Sequence, residues 1–108
     1  MIGTAEPLVV TITHHLGRDE AKRRIAGGID AIRTEVTHYV KTLDYSWTGD
    51  RLDFRATLLL QTITGRIDIG DDFVRVELLL PRLLHLVATR IAGRIEQRGA
   101  TLLEPPKP

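Results

Sequence analysis

The chain has no cysteine, which removes disulfides, thiolate zinc sites and thiol catalysis together. Aromatic residues are scarce, with two Phe, two Tyr and one Trp. Long apolar runs are missing too. The longest span three residues, as in Leu58-Leu59-Leu60, against the roughly 20 that cross a bilayer. Neither charge sign dominates, because 15 Lys and Arg face 14 Asp and Glu for a net charge of +1. Proteins that bind nucleic acid by neutralising many phosphates carry a larger basic excess, so no nucleic-acid partner is expected. Met1 to Pro7 shows neither the basic nor the apolar stretch of a secretory signal. The expectation is a cytoplasmic protein with no transmembrane segment.

What remains is ordinary for a folded domain: 108 residues, 43% hydrophobic and 27% charged. The expected organisation is a flexible lead-in at 1–7, one domain at 8–99 and a Pro-rich tail at 100–108. Leu8, Val10 and Ile12 alternate with Val9, Thr11 and Thr13, which predicts a strand. Arg18-Asp19-Glu20 then opens a helix, with acids at the positive end of its dipole. Ala21, Ile25, Ile29, Ile32 and Val36 fall on one helical face. Gly27-Gly28 inside this helix predicts close packing of its backbone on a sheet.

Beyond Thr37-His38 the period becomes two. Leu43, Tyr45 and Trp47 alternate with polar residues, Thr48-Gly49-Asp50 turns, and Leu52, Phe54 and Ala56 answer in a second strand. Leu58 to Leu60 blurs the alternation, and the register of 56–64 stays open. Gly65 to Ile69 gives a third strand of this series; Gly70-Asp71-Asp72 turns, and Val74, Val76 and Leu78 mark a fourth. Pro81 suits the first turn of a closing helix. Its stripe is Leu84, Val87, Ala88, Ile91 and Ile95, with Gly99 as its stop. The fold class is therefore α+β, in the order β-α-β-β-β-β-α: an antiparallel sheet with two helices packed on one face.

No catalytic, cofactor-binding or metal-binding set can be assembled. His14 and His15 are adjacent on extended chain and point to opposite faces, so one metal cannot hold both; His38 and His85 are isolated. A His at the corner between strand and helix more readily serves exposed backbone groups. Asp50, Asp71 and Asp72 sit in turns, where carboxylates bond neighbouring backbone. Tyr45, Trp47 and Phe54 fit cross-strand packing better than base stacking. The expectation is that the protein is not an enzyme. One surface feature stands out. Leu83 and Leu86 lie off the core stripe of the last helix and are flanked by Arg90 and Arg94, with Arg82 and Arg98 beyond. If no loop covers them, these residues form a contact surface for a partner, an apolar body or a second copy of the chain.

The ordered landmarks carry a resemblance. They run from His15-Leu16-Gly17 leading to Ala21, through Tyr45-x-Trp47-x-Gly49-Asp50-x-Leu52-x-Phe54. Then come Gly65-x-Ile67-x-Ile69-x-Asp71-Asp72-x-Val74-x-Val76-Glu77-Leu78 and Leu80-Pro81. This set, over about residues 9 to 98, resembles the small polyhydroxyalkanoic acid system proteins, a bacterial family encoded near polyester-synthesis and granule-associated genes. The resemblance implies an accessory role in forming or regulating polyhydroxyalkanoate granules, and no catalytic residues to carry over. The implied partners are the polyester granule surface or a granule protein, with a homodimer open. A second reading is a carrier of small apolar ligands, with a cavity between curved sheet and last helix.

Overall fold

The computed structural model of the chain describes residues 7–35, 40–58 and 61–104, with the backbone alone for Glu35, Leu58, Arg82 and Leu83. Val36, His38, Leu59, Leu60, the first six residues of the expected lead-in and the end of the expected tail lie outside the described residues.

The elements are β1 (Pro7–Thr13), α1 (Arg18–Glu35), β2 (Thr42–Thr48), β3 (Arg51–Leu58), β4 (Gln61–Ile69), β5 (Phe73–Leu79), a 3-10 segment (Arg82–Val87) and α2 (Ala88–Leu102). The five strands form one antiparallel sheet in the order β1-β5-β4-β3-β2. Thus β2 to β5 make the expected meander, while β1 crosses over to pair with β5. Pro7, expected in the lead-in, instead starts β1. A proline is tolerated at the first position of an edge strand, where no ladder donor is required.

The register explains why one face of the sheet is apolar. One cross-strand row reads Val10, Val76, Ile67, Leu52, Trp47; the next reads Leu8, Leu78, Gly65, Phe54, Tyr45. Buried Ile12, Val74 and Ile69 add a shorter third row. The register left open by the sequence is now fixed, with Ala56 opposite Ile63 and Leu58 opposite Gln61. Side chains alternate across a pleated sheet, so the other face collects the polar partners. There Glu77, Arg66 and Asp53 form one row and Arg75, Asp68 and Arg51 the next, signs alternating in both directions. Arg66 pairs with Glu77 (3.1 Å) and Asp68 (3.4 Å), and Arg51 with Asp53 (3.2 Å). Such exposed pairs each contribute at most about 1 kcal/mol. The lattice keeps this face wet and balanced in charge.

Both helices cover the apolar face. On α1, Ala21 and Ile25 are fully buried, and Ile29 packs at the core margin. On α2, Ile91, Ala92 and Ile95 pack against the same core. The helices meet at Gly28, where a Cβ would collide with the Leu102 side chain. Gly28 therefore admits helix α2 and not the sheet, and Gly27, exposed, admits nothing. Arg24 clamps the junction by donating to the carbonyls of Leu102 (3.3 Å) and Glu104, a cation at the negative end of α2. Gly99 is not the stop of α2. The helix runs on to Leu102, Gly99 is buried, and a side chain there would meet Ile12 of β1. Leu103 follows, 3% exposed.

In the first turn of α1, Glu20 accepts from Arg23 (2.9 Å) and Arg24 (2.8 Å). Bonds from Arg23, then Arg24, lower its carboxyl from the usual value of 4.5 to about 2. A depressed carboxylate helps folding above its ordinary value and loses that help as pH falls toward the folded one. An NMR titration of the Glu20 side chain should therefore show its midpoint at about 2 rather than at 4.5. In molar salt the midpoint should move back up, because the pair is solvent-exposed.

Candidate binding surface

The 3-10 segment and α2 carry the surface that the sequence singled out. Leu80, buried at 2% exposure, anchors the chain where it leaves β5. Leu84 then turns inward onto the core. Two positions later Leu86 faces out at 89% exposure, the most exposed of the large apolar residues described. No described loop or sheet edge covers it. Leu83 lies in the same segment, its side chain outside the described atoms. Arg90 and Arg94, one helical turn apart on α2, are exposed. Leu86, Arg90 and Arg94 are thus all exposed, on consecutive segments of the chain.

Val87, read from the sequence as core, is exposed instead at 37%. It caps α2 at the junction with the 3-10 segment, with φ −113° and ψ 13°. The α-helical phase behind the core stripe does not extend through a 3-10 turn. The exposed apolar spot is therefore larger than the sequence suggested. A groove of about 370 Å³ between the helices is lined by Gly28, Ala31 and Ile32 of α1 and by Arg94, Gln97 and Thr101 of α2.

A second concavity, about 590 Å³, opens at the turn end of the sheet among Arg18, Asp50, Arg51, Asp68, Asp71 and Phe73. The carboxylates of Asp50, Asp68 and Asp71 are already engaged. Arg18 pairs with Asp50 (3.3 Å) and Asp71 (3.1 Å), and Lys22 reaches Asp50 at 3.7 Å. The expected backbone role of Asp50 thus gives way to ion pairs, because α1 starts directly above its turn. Neither concavity lies between the sheet and α2. Trp47, Phe54 and Ile91 pack against the core there, so the carrier reading finds no support.

The remaining candidates resolve as packing. His14 is 3% exposed, and its Nδ1 accepts from the Leu16 N–H at 3.2 Å. In the neutral ring the proton then sits on Nε2. The His14 N–H in turn donates to the Asp72 carbonyl (2.9 Å), joining β1 to the β4–β5 turn. His15, its neighbour, is exposed, as is His85. Among the described residues no group of three or more His, Asp or Glu side chains could hold a metal. Tyr45, Trp47 and Phe54 lie on the helix-covered face. Tyr45 donates to Asp30 (3.0 Å), and the Lys22 ammonium stands 5.0 Å from the Trp47 ring centre. No described helix is long and apolar enough to cross a membrane.

Among solved structures, a truncated norcoclaurine synthase from Thalictrum flavum is similar at 10% identity and a TM-score of 0.43, over 98% of this chain and 99% of that one. A likeness of that size carries nothing about the site. No curated protein matches by sequence. A family described as "Putative polyhydroxyalkanoic acid system protein" does match, over residues 8–103, which takes in both helices and all of the sheet but Pro7. The chain belongs to that polyhydroxyalkanoic acid system family.

Proposed function

We propose that the protein is a non-enzymatic accessory of polyhydroxyalkanoate granule formation or regulation. In this reading it is cytoplasmic and acts by binding the granule surface or a granule protein. The contact is the outward side of the 3-10 segment and α2. The observation that carries it is Leu86, 89% exposed beside exposed Val87, with Arg90 and Arg94 exposed on the helix that follows. Leaving a leucine in water forgoes about 1.5–3 kcal/mol that its burial against an apolar body returns. The arginine stems can lie along such a body while their heads stay wet. The family description supports the polyester setting.

Co-sedimentation with purified polyester granules tests this reading. The wild-type chain should pellet with the granules. Leu86→Asp/Arg94→Glu, altered only at exposed positions, should keep its circular dichroism and lose about tenfold or more in affinity, the scale of a lost hot spot. A variant that pellets like the wild type overturns the proposal.

A further inference from the structure

The two edges of the sheet differ in how they are protected. β1 begins with a proline and lies under α2, with Ile12 against Gly99. β2 has neither device. Its sequence, Thr-Leu-Asp-Tyr-Ser-Trp-Thr, has no proline and no lysine, and Asp44 is its one charge. Its pairing with β3 runs unbroken from Thr42–Thr57 to Thr48–Arg51, so no bulge twists it away. A regular, undefended edge invites another strand.

The direction of the free backbone groups follows from one bond. The Ile69 N–H donates to the Asp50 carbonyl (2.9 Å), across the register that joins β3 to β4. Alternation then turns Leu52, Phe54 and Ala56 toward β4, and Arg51, Asp53, Arg55 and Thr57 toward β2. Their opposite numbers in β2 are Thr48, Ser46, Asp44 and Thr42. Leu43, Tyr45 and Trp47 are therefore the residues whose N–H and C=O face outward. Among the described residues no strand meets them.

We propose that a second copy of this chain pairs there, β2 against β2, antiparallel, with Tyr45 on the two-fold axis, making one continuous sheet. The strand is close to its own mirror. About Tyr45, Thr42 opposes the partner's Thr48, Leu43 the partner's Trp47, and Asp44 the partner's Ser46. Outward-facing residues then meet outward-facing residues over the full strand, and each such pair exchanges two hydrogen bonds. On the polar face the partner's Ser46 can donate its hydroxyl to Asp44. On the apolar face Leu43 packs on the partner's Trp47, a favourable aromatic–aliphatic cross-strand pair. Shifting the centre to Asp44 would set two carboxylates face to face; a centre at Ser46 shortens the overlap. Asp30 and Lys22, reaching from α1, already hold Tyr45 and Trp47 in place, which lowers the ordering cost of association. Among the described strands, α1 makes its main backbone approach at β4.

Light scattering on the full chain should show a particle of two chains at submillimolar protein. Ser46→Asp opposes Asp44 twice by symmetry. It should raise the dimer dissociation constant about tenfold or more, and Asp44→Ser/Ser46→Asp should restore it. Because the chain has no cysteine, register can be read covalently. Directly opposed residues of the non-bonded pair lie about 4.5 Å apart at Cα, within disulfide reach. Asp44→Cys and Ser46→Cys proteins should cross-link when mixed, and far less when oxidised separately. A single-chain mass throughout, a dimer indifferent to Ser46→Asp, or equal cross-linking in the separate samples overturns the proposal. Granule co-sedimentation by the Ser46→Asp chain reads the α2 surface independently of this edge.

Discussion

Leu52→Ala should lower the folding free energy by about 2–5 kcal/mol, the largest effect expected of any conservative core truncation in this chain. Leu52 is 0% exposed and stands between Ile67 and Trp47 in the longest apolar row. The truncation removes its transfer energy and leaves a hole that two paired strands cannot close. In a domain of this size the melting temperature should fall by at least about 10 °C. Its neighbour Asp53, on the opposite face, supplies the comparison: Asp53→Ala deletes one exposed ion pair and should cost below about 1 kcal/mol. Urea unfolding of both variants checks this. A Leu52→Ala loss no larger than that of Asp53→Ala would mean that the apolar face is not the core.

Gly65→Val should destabilise by about 1–3 kcal/mol, although strand propensity favours valine over glycine by up to about 1 kcal/mol. The reason is the space over Gly65. The Phe54 ring lies where a Cβ would go, and Leu78 presses from the other side, its Cδ2 at 2.7 Å from that position. The glycine lets the aromatic ring of one strand lie flat across the backbone of the next. Removing the ring should therefore relieve the clash. In a double-mutant cycle, Phe54→Ala/Gly65→Val should be more stable than the two single losses predict, by about 0.5–3 kcal/mol. Additive losses would contradict this packing.

The difference between what the sequence showed and what it concealed follows from how local each cause is. β2, β3 and β5 were legible because each alternates sharply: Leu43, Tyr45 and Trp47 face inward while Asp44 and Ser46 face out. The first residues of β4 were not, since Gln61, Thr62 and Thr64 break no pattern and Ile63 is only partly buried. Gly99 illustrates a different difficulty. A glycine that ends a helix and a glycine that admits a neighbour are the same letter, and Ile12 is distant in sequence. The cue lay beyond it, where Leu102 and Leu103 resume the apolar stripe. Likewise Gly28 was legible as a close approach, but its partner Leu102 was not. At the candidate surface, Leu86 was found from helical phase alone. Val87 was missed because the 3-10 segment shifts that phase. The bare edge at β2 was hidden from any local reading, because it exists only once β1 has crossed to β5.

The central claim is that the apolar face of the sheet is used up by the two helices, leaving the outer side of the 3-10 segment and α2 as the contact with the polyester body. Hydrogen exchange on the full chain, free and bound to purified granules, tests it most directly. The account predicts slowed exchange confined to residues 82–94, with β3 and β4 unchanged. Slowing confined to the charged face of the sheet, with residues 82–94 exchanging as in the free chain, would contradict it.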